Sequence, residues 1–235
     1  MCGVIGAVII KPTEADLKQV VDVFLNMQIR GQHATGVSWV HNDRVNTIKE
    51  AVGAKEFWSQ LDPEFLVNED GNLYMIGHVR YSTSDLKYNQ PIGEGDLAIV
   101  HNGVITQEPP ETWEDTFGIP TETSNDSELI LGAQREEFTD NHPLGHFKDA
   151  SMAVTELRAN KTVEAYRNHA RPLARYSDER MVVYASTADA LRRSGFNGFI
   201  LSMPPYVVTV DASINGNIET GSKQLPEIHK DLQEM

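Results

Sequence analysis

The sequence predicts an α+β fold in which strands and a few helices pack as layers. Short apolar segments rich in β-branched residues recur along the chain, and a few longer segments place apolar residues at helical spacing. The two kinds of segment do not alternate regularly, which favours a layered α+β arrangement over repeated βαβ units. The chain has 235 residues, of which 40% are apolar and 23% are charged. This composition is ordinary for a folded protein, and the length suits one large domain or two small ones.

The N-terminal third predicts a sheet with one covering helix. Residues 2–10 are apolar and β-branched, as in a buried strand. Thr13 is a suitable N-cap, and apolar residues at helical spacing as far as Met27 predict a helix that covers one face of the sheet. The segments that follow predict strands at 34–40, 45–52 and 73–81 and a helix at 56–67.

The rest of the chain predicts further strands around one longer helix. A short strand at 96–100 leads into Asn102-Gly103, a pair that is typical of tight turns. A serine and an asparagine at 124–125 can cap a helix over about 126–138. Later strands are predicted at 151–158, 163–168, 181–185 and 206–210, with a short helix at 188–194.

The charge balance and the single cysteine exclude several classes of function. Lys and Arg total 20 against 34 Asp and Glu, a net charge of −14, which argues against binding to nucleic acid or to anionic membranes. The sequence shows neither a signal peptide nor an apolar run of the roughly 18 residues that span a membrane, so we expect a cytoplasmic protein. One cysteine offers no disulfide and no thiolate cluster for zinc, and we expect no metal site.

The only cysteine, Cys2, directly follows Met1. If Met1 is removed, Cys2 becomes the N-terminal residue and its thiol lies beside its own α-amino group. That amine has an unperturbed pKa of about 7.7–8.0, so it can accept a proton near neutral pH and act as the base for the thiol. The alternative is that Cys2 is a small apolar residue in a buried first strand, which is how free cysteines usually behave.

Four short stretches accompany Cys2 in a fixed order. Their sequences are RGQHATG at 30–36, GHVRYST at 77–83, HNG at 101–103 and SNDSE at 124–128. Behind an N-terminal Met-Cys-Gly, this combination resembles the class II glutamine amidotransferases, whose glutaminase domains carry an N-terminal nucleophile, as in amidophosphoribosyltransferase and glucosamine-6-phosphate synthase. RPL at 171–173 and AST at 185–187 are similar to later stretches of the same family, so the resemblance covers most of the chain.

The resemblance implies a four-layer αββα sandwich of the N-terminal nucleophile hydrolase type. It places a glutamine amidotransferase type-2 domain at residues 1–221. The remaining segment, 222–235, is polar, and we expect it to fray or to dock on a partner. Cys2 would be the nucleophile, and the Asn102 side chain and the Gly103 N–H would form an oxyanion hole. The substrate-binding positions would be Arg80, Thr83 and Asp126.

The chemistry of glutamine agrees with these residue types. A guanidinium can form two parallel hydrogen bonds to the α-carboxylate, which suits Arg80, and the Asp126 carboxylate can pair with the α-ammonium. Each residue also has a purely structural interpretation. Arg80 can be an ordinary surface cation, Asp126 an acidic residue in the first turn of a helix, and Asn102-Gly103 a simple turn.

The implied reaction hydrolyses the side-chain amide of L-glutamine through a γ-glutamyl thioester on Cys2 and supplies ammonia. The resemblance uses nearly the whole chain, so we expect a stand-alone glutaminase that works with a separate synthase protein and needs no cofactor. Two alternatives remain open. One is a γ-glutamyl amidohydrolase that acts on a larger metabolite, and the other is a non-catalytic subunit that senses glutamine or serves as a scaffold.

Overall fold

The computed structural model describes residues 2–81, 89–135 and 142–226, and within these ranges the chain forms two antiparallel sheets. The strands are β1 (Gly3–Ile9), β2 (Ala34–His41), β3 (Arg44–Glu50), β4 (Leu73–Arg80), β5 (Leu97–Val104), β6 (Ser151–Arg158), β7 (Thr162–Arg167), β8 (Ala174–Ser177), β9 (Met181–Ala185), β10 (Ile200–Ser202), β11 (Val207–Ile214) and β12 (Asn217–Gln224). The α-helices are α1 (Glu14–Met27), α2 (Ala54–Ser59), α3 (Trp113–Phe117), α4 (Glu128–Arg135), α5 (Pro143–His146) and α6 (Ala188–Arg193). Within the described ranges, no helix combines the length and the apolar character that crossing a membrane requires.

The two sheets pack face to face. One has seven strands in the order β10-β8-β9-β1-β4-β2-β3, and the other has five in the order β12-β11-β7-β6-β5. Successive side chains of a strand point to opposite faces. In β1, Ile5 and Ile9 therefore pack with residues of α1, α2 and α6, whereas Val4 and Val8 pack between the sheets with residues such as Val163 of β7.

A third apolar cluster covers the outer face of the five-stranded sheet. Ile99 of β5 and Val154 of β6 pack there with Leu129 of α4, Leu144 of α5 and Trp113 of α3. The layers therefore follow the order helix, sheet, sheet, helix. This arrangement confirms both the predicted α+β class and the αββα sandwich that the resemblance implies.

The first helix forms as its sequence predicts. Thr13 Oγ1 accepts the Asp16 N–H at 3.2 Å, and the Asp16 carboxylate accepts the Thr13 N–H at 2.8 Å. This reciprocal capping box satisfies N–H groups that the first turn leaves without partners. Leu17, Val20 and Phe24 form the buried face of α1 against the seven-stranded sheet. The helix thus supports β1, the strand that begins directly after Cys2.

The predicted helix at 56–67 is wrong as a single element. The structure contains α2 and a separate 3-10 helix, Pro63–Leu66. Proline has no N–H with which to continue a helix, and the Asp62 side chain accepts the Glu64 N–H to start a new turn instead. Sequence periodicity alone joined these two segments because both bury apolar residues on the same side.

The predicted turn at Asn102-Gly103 is also wrong. The strand predicted at 96–100 continues as β5 to Val104, and Asn102 and Gly103 pair with Ala153 and Met152 of β6. Pairing along the whole of β6 therefore overrides the local preference of Asn-Gly for a turn. The consequence is that the Asn102 side chain projects from a regular strand.

The C-terminal part contains strands that the sequence did not predict. The elements β8 and β10 are short, and β12 is largely exposed and polar, so none of them has a clear apolar alternation. Residues 222–224 belong to β12, which pairs with β11, so the segment after Gly221 begins as a strand and not as a frayed tail. The division of the chain into 1–221 and 222–235 stays a prediction. The end of the predicted helix at 126–138 lies outside the described residues.

Candidate active site

Three strands project polar side chains into the space between the sheets. Val4 of β1, Ile76 of β4 and Val100 of β5 all belong to the apolar cluster between the sheets. Because side chains alternate along a strand, residues separated from these by an even number of positions face the same space. The polar residues that do so at these strand ends are Cys2, His78, Arg80 and Asn102.

Cys2 lies at the start of β1, beside the end of β4. These strands are antiparallel with Gly3 opposite Val79, so Cys2 comes next to Arg80. The Cys2 Sγ lies 4.0 Å from the carbonyl oxygen of Tyr81, and the residue is partly buried. The structure therefore brings the predicted nucleophile and the predicted carboxylate-binding arginine together.

Two residues hold the backbone around Cys2. Arg30 Nε donates to the Cys2 carbonyl oxygen at 2.9 Å. The buried Ser186 hydroxyl accepts the Val4 N–H at 2.9 Å, and the Ser186 N–H donates to the Val4 carbonyl oxygen at 3.0 Å. The sequence stretches at 30–36 and 185–187 therefore both fix the strand that carries Cys2.

The stretch at 30–36 also packs against the end of β4. The His33 N–H donates to the Arg80 carbonyl oxygen at 3.0 Å. A Cβ on Gly31 would overlap the backbone carbonyl group of Arg80, so the close approach requires glycine at this position. The rings of His33 and Tyr81 lie with their centroids 4.9 Å apart. These contacts fix the chain on both sides of Arg80.

The Arg80 guanidinium is oriented by a buried amide. Its Nη1 donates to Asn89 Oδ1 at 2.7 Å, and Asn89 is itself buried. A fixed guanidinium beside Cys2 is suited to binding a carboxylate with defined geometry. Thr83, the other residue predicted near Arg80 in the substrate site, lies outside the described residues.

Asn102 presents a buried hydrogen-bond donor without a partner. Its side chain is almost fully buried, and its Nδ2 has no hydrogen-bond partner among the described residues. Such a group costs about 1–3 kcal/mol of stability, and a bound acceptor can remove this cost. At Gly103, a Cβ would overlap the Ser151 carbonyl oxygen, so glycine is required next to this donor.

Asp126 lies in the loop between β5 and α4. Its Oδ2 accepts the Ile105 N–H at 2.6 Å, directly after the end of β5. The loop is closed by Glu128, whose Oε2 accepts the N–H groups of Glu122 and Thr123 at 2.8 and 3.0 Å. The structure thus attaches the Asp126 carboxylate to the strand that carries Asn102.

Two further residues at this site were missed from the sequence. His78 is fully buried, and neither of its ring nitrogens has a hydrogen-bond partner among the described residues. Burial, together with the nearby Arg80 and His101, lowers the pKa of His78 to about 3, so the ring is neutral. Arg171 has a buried Nε without a hydrogen-bond partner in the described chain, and its charge helps to lower the pKa of His101, after the larger effect of burial. Both residues lie in stretches that the sequence analysis singled out, at 77–83 and 171–173, but no role could be assigned to them because their unmet hydrogen bonds depend on the folded surroundings.

The arrangement combines the groups that an amide of an amino acid requires. A thiol, a guanidinium and an amide donor face one space, and a carboxylate is bonded beside the strand that carries the amide. These groups suit a nucleophile, a carboxylate partner, an oxyanion donor and an ammonium partner respectively. The described residues contain no cluster of three or more potential metal ligands.

An open groove of about 740 Å³ lies beside the end of β5. Its lining is partly apolar and partly charged, and includes Val104, Ile105, Phe117, His146, Lys148 and Ser151. Because Val104 follows Gly103 directly, the groove borders the strand end that carries the predicted oxyanion donors.

The chain is similar to curated transferases. It is 26% identical over 192 residues to the glutamine–fructose-6-phosphate aminotransferase (isomerizing) of Shewanella oneidensis, a match that covers 79% of this chain and 29% of that protein. It is 26% identical over 179 residues to the amidophosphoribosyltransferase of Pseudomonas aeruginosa, with 71% of this chain and 33% of that protein covered. The chain therefore spans about a third of the length of these relatives. No protein-family model matches it.

The fold agrees with this relationship. The glutamine phosphoribosylpyrophosphate amidotransferase of B. subtilis, solved in complex with ADP and GMP, superposes with a TM-score of 0.71 over 94% of this chain and 49% of that chain. Sequence identity in this comparison is 18%, so it supports the fold alone. Sequence and fold together identify the chain as a homologue of the class II, N-terminal nucleophile glutamine amidotransferases, related to them through their glutamine amidotransferase domain.

Proposed function

We propose that the protein is a glutaminase that hydrolyses the side-chain amide of L-glutamine at Cys2 and supplies the ammonia to an acceptor. The observation that carries this proposal is the buried Asn102 Nδ2, which lacks a partner and faces the same space as Cys2 and Arg80. Buried polar groups are nearly always hydrogen-bonded. Asn68 Nδ2 also lacks a partner among the described residues, so it is the position of Asn102 Nδ2, in the space that holds Cys2 and Arg80, that supports a role in the reaction.

In the proposed reaction, Met1 is removed and Cys2 carries the free α-amino group. This amine accepts the thiol proton, and the sulfur attacks the side-chain carbonyl carbon of glutamine. Asn102 Nδ2 and the Gly103 N–H stabilise the oxyanion, the carbon–nitrogen bond breaks, and the proton leaves with the nitrogen as ammonia. Water then cleaves the γ-glutamyl thioester, which releases glutamate and restores the thiol.

Substrate recognition follows from the charges of glutamine. Arg80 binds the α-carboxylate, with its guanidinium held by Asn89, and Asp126 binds the α-ammonium. We also propose that Thr83 contacts the substrate.

We assign the activation of the ammonia acceptor to a separate synthase protein. Co-purification tests this part, because such a partner should raise glutaminase turnover and consume the ammonia released.

The decisive experiment is labelling with a diazoketone analogue of glutamine. We expect one label per chain, located on Cys2 by N-terminal sequencing, with Met1 absent and ammonia release lost in proportion to labelling. Excess glutamine should protect Cys2. Active protein whose intact mass still includes Met1 would exclude the amine-assisted mechanism, and label located elsewhere would exclude Cys2 as the nucleophile.

A second candidate function is supported by the groove beside Val104. In a γ-glutamyl amide larger than glutamine, the group on the amide nitrogen would extend away from the oxyanion donors, and the groove of about 740 Å³ offers space for it. A panel of γ-glutamyl amides with apolar and acidic substituents tests this function. Turnover of one of them at least about ten times that of glutamine would favour the amidohydrolase, since every tenfold preference corresponds to about 1.4 kcal/mol in the transition state.

A further inference from the structure

We infer that Gln90 and Ser127 are positioning residues that hold the Asp126 loop at a fixed distance from the strand carrying Asn102 and Gly103. This inference rests on the proposed glutaminase function, since it assigns a role to residues that touch neither Cys2 nor the space in front of it. Gln90, Ser127 and His101 are all buried, and a network of hydrogen bonds joins them.

The first part of the network continues the edge of the five-stranded sheet. Within the described residues, β5 is the outermost strand of that sheet. The Ile99 N–H points away from β6 and donates to the Ile92 carbonyl oxygen at 2.9 Å. The next N–H on this side, that of His101, donates to Gln90 Oε1 at 2.6 Å. The Gln90 side chain therefore satisfies a strand-edge donor one position before Asn102.

The second part of the network joins this edge to the Asp126 loop. Gln90 Nε2 donates to Ser127 Oγ at 3.2 Å, and Ser127 Oγ lies 2.9 Å from His101 Nδ1. The other ring nitrogen, His101 Nε2, lies 3.2 Å from the Ser151 carbonyl oxygen, which is the group that packs against Gly103. The cluster of Gln90, His101 and Ser127 thus includes the residue after Asp126 and the residue before Asn102. Through His101 it also contacts the carbonyl group that packs against Gly103.

The directions of these hydrogen bonds are determined by the chemistry of the partners. The Ser151 carbonyl oxygen can only accept, so His101 Nε2 carries the proton and Nδ1 of the neutral ring is an acceptor. The Ser127 hydroxyl therefore donates to His101 Nδ1 and accepts from Gln90 Nε2. The backbone N–H of His101 can only donate, so the atom of the Gln90 amide beside it is the oxygen, Oε1. Every member is satisfied in one arrangement, and such networks are rigid.

The network has a specific consequence for substrate recognition. The strand β5 is held by its full pairing with β6, so Asn102 and Gly103 stay in place without Gln90 or Ser127. The Asp126 loop loses its buried attachment at Ser127, which leaves the hydrogen bond from the Ile105 N–H to Asp126 Oδ2 to hold the carboxylate beside β5. The carboxylate is then fixed less precisely relative to the oxyanion donors. A misplacement of about 1 Å can reduce a reaction rate by about 100-fold. The loss should therefore fall on substrates that use Asp126.

The test compares L-glutamine with glutaramate, which is glutamine without the α-ammonium group. In Gln90→Met and Ser127→Ala we expect kcat/KM for glutamine to fall by about 10- to 100-fold, but for glutaramate by less than about threefold. Ser127→Thr, which keeps the hydroxyl, should restore the preference for glutamine. The double variant should lose no more than the single variant with the larger loss, because both changes break one network.

Gln134→Met is the matched control. Gln134 lies on α4, and its Nε2 donates to Glu156 Oε1 of β6 at 2.8 Å. This change therefore also removes a partly buried amide from the same layer, but it leaves the Gln90 network intact. It should lower the melting temperature without changing the ratio of glutamine to glutaramate turnover. Equal losses for both substrates in Gln90→Met and Ser127→Ala would overturn the inference alone. Failure of the wild-type protein to release ammonia from either amide would overturn the proposed function and this inference with it.

Discussion

Two polar clusters lie between the sheets, and they differ in whether their hydrogen bonds are complete. The Asp211 cluster consists of Arg175, Tyr184, Asp211 and Thr220 and joins β8 and β9 of one sheet to β11 and β12 of the other. The site cluster consists of Cys2, His78, Arg80 and Asn102 and lies where β1, β4 and β5 meet. Both place polar groups in an apolar layer, where unpaired groups are costly.

In the Asp211 cluster each carboxylate oxygen has a partner. Asp211 is fully buried, and its Oδ1 accepts from Arg175 Nη2 at 2.8 Å and from Thr220 Oγ1 at 2.6 Å. Its Oδ2 accepts from the Tyr184 hydroxyl. The buried carboxylate therefore has its hydrogen-bond partners within the fold. This cluster connects the two sheets.

In the site cluster, by contrast, buried polar atoms lack partners. Asn102 Nδ2 and both ring nitrogens of His78 have none among the described residues. Unmet buried groups reduce stability, so a fold keeps them where a ligand will complete them or where they serve another purpose. The comparison teaches that, of two similar buried clusters, the incomplete one is the candidate for binding. Substitutions should therefore affect activity at one cluster and stability at the other.

The largest expected effect is that of Cys2→Ala. Without the sulfur there is no thioester route, and ammonia release should fall by about 10⁴-fold or more. Because Arg80 and Asp126 remain, the variant should still bind glutamine, with a dissociation constant by calorimetry close to the wild-type KM. Its melting temperature should be unchanged, since Cys2 is only partly buried. Retention of a tenth of the activity would contradict a role for the thiol as nucleophile.

Asp211→Ala should act on stability instead. Removing the carboxylate leaves the Arg175 charge and the Tyr184 and Thr220 hydroxyls without their partner, and breaking a buried ion pair in this way costs about 3–5 kcal/mol. The free energy of unfolding in urea measures this loss. The fraction that stays folded should keep the wild-type KM for glutamine. As a control, Asp70→Ala removes one exposed partner of Lys161 and should cost less than about 1 kcal/mol.

Asn102→Ala should give the opposite pattern to Asp211→Ala. Loss of one oxyanion donor typically lowers kcat by about 100- to 1,000-fold, and we expect KM for glutamine to change little because the donor acts in the transition state. Removing an unpaired buried amide relieves a cost of about 1–3 kcal/mol, which offsets the lost packing. The free energy of unfolding should therefore not fall appreciably. A loss of stability as large as that of Asp211→Ala would show that Asn102 is a structural residue.

The sequence predicts features that depend on neighbouring residues better than features that depend on distant ones. The Thr13 cap involves residues three positions apart and was predictable from the sequence. The Ser186 hydroxyl meets the Val4 N–H across 182 positions, and no local pattern indicates that contact. Likewise, the turn preference of Asn102-Gly103 was local, whereas the pairing with β6 that overrides it comes from residues about 50 positions later.

The candidate site shows the same division. Cys2, Arg80, Asn102 and Asp126 were identified from residue types in a recurring order. The structure places the first three around one space between the two sheets and bonds the fourth beside β5. His78 and Gln90 were not identified, because their importance lies in burial and in completed or unmet hydrogen bonds. These properties arise only when the two sheets meet. Burial therefore has to be known before such residues can be recognised.

The smallest effect we predict concerns the pH dependence of stability at His78. Burial lowers the pKa of His78 to about 3, whereas an unfolded histidine titrates near 6.5. The unfolded state therefore binds more protons between these values, so stability falls as the pH decreases from about 6.5 towards 3. In His78→Phe this contribution of about 1–3 kcal/mol should be absent, and the free energy of unfolding should decline less between pH 6.5 and 4.5.

The control is Ile76→Val, at the next inward position on the same face of β4. It should lower stability equally at every pH, because it changes packing without changing a titrating group. An unchanged pH slope in His78→Phe would mean that a ligand, a water or a rearrangement already pairs the imidazole, and the contrast with the Asp211 cluster would then rest on Asn102 alone.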